Sequence, residues 1–282
     1  MEQNAIWNGT AGQAWVDAQD LLDAMFKPLE DLLVDAIPRH AGQRVLDVGC
    51  GTGTTTLAVA RRLADTAGHG LGIDISAPMI AAARARAQAD GSSATFVLDD
   101  AQGHAFEPAG FDHIMSRFGV MFFNDAVAAF TNLRRAARDH ATMTFLAWRS
   151  AEENPFMTTA ERAAAPLLPK IPARQPDEPG QFAFARASRM HHILETSGWA
   201  DIHAEPLDVL CTFPESGLVR YLTQLGPLGR LLPTVEGRRR DQVIDQVRTA
   251  FEPYVQGDTV RFTAACWKVS ARAPARFAAT PA

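Results

Sequence analysis

The sequence predicts an α/β fold in which crossover helices cover a mostly parallel sheet. Over residues 43–150, short stretches rich in apolar and β-branched residues alternate with helical patterns, as in proteins built from βαβ units. A glycine-rich turn with Gly49, Gly51 and Gly53 joins the first of these strands to the first helix. The chain has 282 residues, of which 47% are hydrophobic, and this suits one large domain or one domain with a substantial insertion.

Each core element is predicted from its own residues. Short apolar runs indicate strands, and apolar residues at three- and four-residue steps indicate helices. Pro78, close after Ser76, favours a helix start there, because the first turn of a helix does not need the amide hydrogen that proline lacks. The predicted strands are 44–48, 70–74, 94–98, 111–116 and 142–148, and the predicted helices are 54–64, 78–89 and 125–137.

The segments outside this core are mostly helical. Residues 21–36 carry apolar side chains at helical spacing, which predicts an amphipathic helix that ends near Pro38. Prolines and charged residues over 151–182 predict an irregular insertion with one helix, from about Thr158 to Ala164. The rest is predicted as a helix over 186–197, a strand over 200–213, helices over 215–252, a strand over 259–271 and a frayed tail over 273–282.

Charge and hydropathy restrict the class of partner. The net charge of -5 argues against nucleic acid as the main partner, because binding to phosphates needs a basic face. The basic run Arg238–Arg240 is followed by Asp241 and is predicted to be a solvated helix face. The first residues are polar, and no apolar run approaches the length of a membrane helix. We therefore expect a soluble, cytoplasmic protein with no membrane partner.

The cysteines and histidines predict neither a metal site nor a catalytic base. Cys50, Cys211 and Cys266 lie far apart with no C-x-x-C pair, so we expect no disulfide framework and no zinc site. None of the eight histidines lies in a motif that marks it as a base, and His191 and His192 fall in a predicted helix. The catalytic residues stay unassigned.

Residues Val45 to Gly53 predict a site at which a ligand contacts bare backbone. Glycine permits both the sharp turn and the close approach, and a helix N-terminus follows at once. A dinucleotide-binding turn reads G-x-G-x-x-G and would need glycine at Thr54. The chain instead reads G-x-G-x-G, with Asp47 two residues before Gly49. A glycine-rich turn of some other α/β protein is the alternative interpretation of this motif alone.

A second motif follows the second strand. Residues 70–74 form a short buried stretch that ends in Asp74. A carboxylate at the tip of this strand accepts hydrogen bonds from both hydroxyls of a ribose. The next residues, Ile75, Ser76 and Met79, complete the pattern D-I-S-x-x-M.

With these two motifs, the chain resembles the class I S-adenosylmethionine (SAM)-dependent methyltransferases and is similar to the ubiquinone and menaquinone C-methyltransferases. The resemblance covers residues 43–150 strongly and the rest by the order of its elements. The insertions that follow strand five and separate the last two strands predict a helical lid, and the resemblance implies SAM as the cofactor. It also implies a Rossmann-like sheet of seven strands in the order 3-2-1-4-5-7-6, with the last strand antiparallel.

The resemblance also implies the cofactor contacts. Asp100 is expected to accept from the adenine amino group and the amide of Ala101 to face a ring nitrogen, with Asp99 as an exposed loop acid. Arg117 is expected either to bind the carboxylate of SAM or to pair with a neighbouring acid. The predicted cofactor-binding residues are Asp47, Gly49, Cys50, Gly51, Gly53, Asp74, Ile75, Met79, Asp100, Ala101, Ser116 and Arg117.

Four aromatic residues are predicted to contact the acceptor: Trp15, Phe118, Phe122 and Trp148. The alternative for each is a place in the core, which is the commoner location of a phenylalanine. One departure from the family pattern concerns the turn before strand five. Many relatives have Pro-Gly-Gly there, and this chain has Arg138 to Ala141, which puts the geometry of that turn in doubt.

The expected function is transfer of a methyl group from SAM to a small molecule by in-line displacement, with O, N, C or S as the acceptor atom. The alternative is a SAM-binding protein of the same fold with a non-methylating role, as a cyclase-like enzyme or a scaffold. A nicotinamide oxidoreductase is disfavoured by the missing third glycine.

We expect a single methyltransferase domain over 1–282, with its parts in a fixed order along the chain. The lid is expected to cover the acceptor, and dimerisation of two copies through the same surface is the alternative. The predicted parts are an N-terminal helical cap (1–42), a SAM-binding core (43–150), lid insertions (151–182 and 215–256) and the remaining core (183–214 and 257–272).

Overall fold

The computed structural model describes residues 3–168 and 177–275, and within them eight strands form one sheet. Their order is β3-β2-β1-β4-β5-β8-β6, and β7 pairs with β8 outside this path. The strands are β1 (Arg44–Val48), β2 (His69–Asp74), β3 (Thr95–Leu98), β4 (Phe111–Arg117), β5 (Ala137–Trp148), β6 (Ala200–Pro214), β7 (Val255–Gln256) and β8 (Thr259–Arg272).

Strands β1 to β5 are parallel, and β8 runs antiparallel to both β5 and β6. The predicted Rossmann-like order, with an antiparallel last strand, is therefore confirmed. The two-residue strand β7 was not predicted, because a pairing this short leaves no periodic pattern in the sequence.

Eleven α-helices lie within the described residues. They are α1 (Gln3–Trp7), α2 (Thr10–Asp17), α3 (Gln19–Asp35), α4 (Thr54–Leu63), α5 (Ala77–Ala89), α6 (Ala126–Ala136), α7 (Pro155–Ala164), α8 (Ala187–Thr196), α9 (Leu218–Gln224), α10 (Gly226–Leu231) and α11 (Gly237–Ala250). Short 3-10 turns join several of them. In this range no helix is long and apolar enough to cross a membrane.

The neighbouring parallel strands β1 and β4 are buried on both faces, which explains their continuous apolar sequences. Leu46 and Val48 of β1 and Ile114 of β4 are at most 1% exposed. They share one core with α3, whose buried face includes Leu29 and Leu33. Helix α3 corresponds to the helix predicted over 21–36.

The prediction for β5 was wrong at its start. We expected a turn over 138–141 and a strand from 142, but β5 begins at Ala137, which pairs with Phe111 of β4. The register then shifts before His113, and His140 takes a positive φ of 64°. An irregular strand therefore replaces the glycine turn of many relatives.

Three smaller differences concern the flanks. Helix α7 begins at Pro155 and not at Thr158, since proline suits the first turn of a helix. The helical stretch predicted over 215–252 is broken into α9, α10 and α11. The predicted tail begins in the fold, because Ala273 exchanges backbone hydrogen bonds with Ala141 and His140. Residues 276–282 of the predicted tail and 169–176 of the predicted insertion lie outside the described residues.

Candidate functional site

A cavity of about 740 Å³ lies at the carboxyl ends of the parallel strands, where open α/β sheets bind their ligands. The β1–α4 turn and the ends of β2, β3 and β4 line one side of it. Helices α1 and α2 line it as well, and so do α7, α9 and α10. One cavity therefore contacts the predicted core, cap and insertions.

The β1–α4 turn approaches the turn after β4 without any side chain between them. Gly49 has a positive φ of 68°, and a Cβ on it would lie 2.6 Å from the Cα of Gly119. A Cβ on Gly119 would lie 2.6 Å from the carbonyl oxygen of Val48. Only glycine at both positions allows this contact, so the two turns present bare backbone to the cavity.

Asp74 connects the end of β2 to this turn. One carboxylate oxygen accepts from the backbone amide of Gly51 at 2.8 Å, and the other accepts from the amide of Ser76 at 2.9 Å. Burial raises the pKa of Asp74, and these amide hydrogen bonds oppose the rise. Each oxygen retains a second lone pair for a ligand that enters the cavity.

The cap is tied to the same turn. The side chain of Asn8 donates to the carbonyl of Ile75 at 2.9 Å and accepts from the amide of Ala77 at 2.8 Å. Ser76 donates its hydroxyl to the carbonyl of Trp7 at 2.7 Å. Helices α1 and α2 are therefore positioned by the residues that follow Asp74.

Asp47 lies behind the turn and does not line the cavity. Its side chain is 1% exposed and accepts from the hydroxyl of Thr56 at 2.7 Å, while its other oxygen has no partner among the described residues. Burial raises the pKa of Asp47 to about 6, against an ordinary value of 3.8. Asp47 therefore contributes to the site by supporting the β1–α4 turn from behind.

Two adjacent acids follow β3, and their hydrogen bonds distinguish them. Asp99 accepts from the Asp100 amide through one oxygen and from His104 through the other. The bond to His104 is the main cause of a lowered pKa of Asp99. Asp100 accepts from the amide of Gln102 through Oδ1 at 2.9 Å, and its Oδ2 has no partner within the described chain. Of the two acids, Asp100 is therefore the one with a carboxylate oxygen that has no partner within the described chain.

Arg117 ends β4 and is a half-buried cation that lines the cavity. It lies 5.6 Å above the ring centroid of Phe26, and its Nη1 is buried without a hydrogen-bond partner in the described part of the chain. Glu30 lies near enough to interact electrostatically, and its Oε2 is likewise unpartnered. Burial raises the pKa of Glu30, and the charge of Arg117 opposes that rise.

Aromatic side chains form two groups around the cavity. Phe118 and Trp148 stack with ring centroids 4.3 Å apart and planes 8° from parallel. Trp7 meets both Trp15 and Phe122 edge to face, at 5.8 and 5.2 Å. Phe118, Phe122, Trp15 and Trp148 all line the cavity, although Phe118 and Trp148 are also core residues with at most 7% exposure.

The structure brings most of the predicted site residues together. The predicted residues that line the cavity are Trp15, Gly49, Gly51, Asp74, Ile75, Met79, Asp100, Ala101, Arg117, Phe118, Phe122 and Trp148. Four others lie behind its wall. Besides Asp47, Cys50 packs against α5 and β3, Gly53 begins α4, and Ser116 bonds the carbonyl of Val48 and the amide of Gly119.

Gly119, Gln102 and Met121 line the cavity and were missed. A single glycine, amide or thioether in a loop carries no periodicity, so only the approach of distant segments reveals its position. Across residues 3–168 and 177–275, no histidine lines the cavity and no cluster of metal-binding side chains is found. Helix α8 carries both His191 and His192 on its exposed surface.

Residues 45–140 match the family model described as a methyltransferase domain. Aklanonic acid methyltransferase DauC of Streptomyces sp. strain C5 is 36% identical over 132 residues, which are 45% of this chain and 60% of that protein. Demethylmenaquinone methyltransferase of Renibacterium salmoninarum is 25% identical over 179 residues, which are 61% of this chain and 72% of that protein. The predicted family resemblance is thereby confirmed for this segment.

Solved structures share the fold over most of the chain. The YcgJ protein from Bacillus subtilis superposes with a TM-score of 0.59 at 15% identity, covering 89% of this chain and all of that one. The [4+2]-cyclase SpnF superposes with a TM-score of 0.57 at 19% identity, covering 94% of this chain and 95% of that one. The chain spans 60% or less of the length of the first curated relatives that it matches.

The buried carboxyl group of Asp47 predicts a pH-dependent stability. Between pH 3.8 and about 6 the folded chain holds the proton on Asp47 more firmly than the unfolded chain does, so the free energy of unfolding falls as the pH rises. Asp47→Asn removes this loss. We expect the free energy of unfolding of the variant, relative to that of the wild type, to increase by roughly 3 kcal/mol as the pH rises from about 4 to 7.5. Urea unfolding of both proteins across that range measures the difference, and a constant difference would contradict the prediction.

Proposed function

We propose, from the premise that residues 45–140 form a methyltransferase domain, that the protein transfers a methyl group from SAM to a small-molecule acceptor. The observation that carries the proposal is the set of groups in one cavity. The bare turn and Asp74 lie on the strand side together with an unpartnered oxygen of Asp100 and an unpartnered nitrogen of Arg117. These are complementary to the parts of SAM.

The available groups match the cofactor part by part. Asp74 accepts hydrogen bonds from the ribose hydroxyls through its free lone pairs. Asp100 accepts from the adenine amino group through Oδ2. Arg117 pairs with the carboxylate of the methionine end, which supplies a partner to its buried Nη1.

SAM supplies a methyl group on a positively charged sulfur, so the protein need not build its own electrophile. The chain contributes position and exclusion of water. Holding two reactants in a productive geometry contributes on the order of 7–11 kcal/mol to a rate acceleration. The stacked pair of Phe118 and Trp148, with Phe122 nearby, forms an aromatic wall that favours a cation by roughly 0.5–2 kcal/mol.

The finer assignments complete the proposal. The acceptor is a small molecule, and its reacting atom (O, N, C or S) stays open. The chain forms a single methyltransferase domain and is cytoplasmic. Names among the relatives support small-molecule chemistry, because aklanonic acid and demethylmenaquinone are both small molecules.

Calorimetry tests the cofactor. We expect SAM and its demethylated product, S-adenosylhomocysteine, to bind and NAD not to bind. Incubation with methyl-labelled SAM and a metabolite extract should then yield a labelled product. Binding of NAD together with a failure to bind SAM would contradict the proposal. Binding of SAM with no labelled product from any extract would support the non-methylating alternative.

A pair of substitutions tests the adenine contact. In Asp100→Asn the amide of Gln102 keeps the side-chain oxygen, so the new NH2 group faces the adenine amino group, donor against donor. We expect SAM to bind about 3- to 10-fold more weakly to this variant. Asp99→Asn is the matched control, because both oxygens of Asp99 are used within the protein. The reverse order of affinities would assign the adenine contact to Asp99.

Arg117→Met tests the contact with the methionine end. The loss of a charge-assisted hydrogen bond should weaken SAM about 10- to 100-fold. Methylthioadenosine lacks the amino acid end and should bind the variant and the wild type equally. Calorimetry with both ligands separates this contact from general damage to the site. Equal weakening of both ligands would mean that Arg117 has a structural role only.

We propose a lid that is narrower than the two predicted insertions. Helix α7 is fixed to the sheet, because Asn154 bonds both the carbonyl and the amide of Ala265, at 2.9 and 3.0 Å. Phe156 stacks on Phe262 with centroids 3.9 Å apart. By contrast, residues 177–182 lack helix and strand and none of them is fully buried, and α10 is short. Phe184 packs against Phe130 and Phe145, and the cap helices are held by Asn8 and Ser76. The proposed lid therefore consists of 177–182 and α10.

Hydrogen exchange tests the lid. Amides of 177–182 and α10 should exchange quickly in the free protein and slowly with S-adenosylhomocysteine and acceptor bound. Amides of α7 should be slow in both states. Slow exchange of the lid segments without ligand, becoming faster on dilution, would identify a dimer interface at this surface.

A further inference from the structure

The side of the cavity lined by α7, α9 and α10 is mostly apolar, and its polar and charged side chains are those of Glu161, Tyr221, Thr223, Gln224 and Arg230. Helices α7, α9 and α10 contribute Phe156, Met157, Ala160, Leu222 and Leu228 to it. Such a surface binds a ligand by excluding water and sets no direction for it. Orientation must therefore come from the few polar groups on this side.

Tyr221 of α9 offers a hydrogen-bond donor on this side with almost nothing to bond. Its hydroxyl donates only to the thioether sulfur of Met157, at 3.7 Å, among the described residues. A thioether is a weak acceptor, and a buried tyrosine hydroxyl usually has a better partner. Its ring packs against Phe156 at 5.3 Å and Phe213 at 5.6 Å, so the direction of the hydroxyl is fixed.

The hydroxyl of Tyr221 acts as a donor and not as a base. Burial raises its pKa, and the nearby groups of Glu161 and Tyr254 raise it further. The phenol therefore stays protonated over the working range of an enzyme. Glu161 and Arg230 also line the cavity, and their opposite charges favour neither an anionic nor a cationic ligand on this side.

Tyr254 provides a comparison, since the chain has two tyrosines. Its hydroxyl lies 3.4 Å from that of Thr159, and the residue does not line the cavity. Both rings belong to the same aromatic cluster around Phe156. The two residues therefore differ in that only Tyr221 lines the cavity and has a thioether as its sole hydrogen-bond partner among the described residues.

We propose that Tyr221 binds a carbonyl oxygen of an uncharged aromatic ketone, which is the acceptor substrate of this enzyme. The apolar and aromatic lining contacts the ring system, and the phenol hydroxyl of Tyr221 donates to the carbonyl. This assignment rests on the proposed methyl transfer, because it treats this side of the cavity as the acceptor side. It makes Tyr221 a specificity-determining residue that contacts the substrate.

Two probes with one carbon skeleton test the proposal. α-Tetralone carries a carbonyl group that tetralin lacks. Their affinities are measured by calorimetry for the wild type, Tyr221→Phe and Tyr254→Phe, with and without S-adenosylhomocysteine. We expect the wild type and Tyr254→Phe to prefer α-tetralone by about 5-fold or more, as one hydrogen bond supplies. Tyr221→Phe should bind both probes alike and show an unchanged thermal unfolding temperature.

Three results would overturn the proposal: no binding of α-tetralone to the wild type, no preference for it over tetralin, or a preference that survives in Tyr221→Phe. Titration of S-adenosylhomocysteine in the same series separates this proposal from the one on which it rests. If that ligand fails to bind, the methyl-transfer proposal fails. If it binds and the ketone preference is absent, only the role of Tyr221 fails.

Discussion

The contact between Gly49 and Gly119 is the constraint on which the site depends. A Cβ at either position would lie within 2.7 Å of the backbone of the other turn. The approach places the end of β1 against the end of β4, so that Ser116 reaches the carbonyl of Val48 at 2.7 Å. Arg117, the next residue, then enters the same cavity as the glycine turn. A side chain at either glycine would separate the two turns and move Arg117 away from Asp74.

A second consequence of this contact is electrostatic. Arg117 of β4 interacts electrostatically with the buried acids Glu30 of α3 and Asp47 of β1, and one polar atom of each residue is unpartnered in the described chain. Unpaired buried charge destabilises a fold, and such groups concentrate where a ligand or reaction uses them. Raised pKa values of Asp47 and Glu30 express the same cost. These unpaired groups therefore lower the stability of the fold, and the amino acid end of a zwitterionic ligand would offset that loss.

The sequence predicts those features that depend on neighbours along the chain. Residues 45–53 and Asp74 lie at the ends of short strands, so their places at one sheet edge follow from the parallel order alone. Gly119 and Tyr221 could not be predicted, because each acquires its role from segments far away in the sequence. The prediction for the start of β5 was wrong for a similar reason. Ala137 extends the strand only because Phe111 is there to pair with it.

The parts of the cavity differ in how firmly they are held. Tyr221 and Phe156 belong to one aromatic cluster that includes Phe213 and Phe251, and these phenylalanines are at most 2% exposed. Interiors packed this closely resist displacement. The cap is held as well, because the hydrogen bonds of Asn8 and Ser76 join it to the β2–α5 turn. An acceptor would therefore meet a fixed wall at Tyr221, while access to the cavity would change with residues 177–182 of the proposed lid.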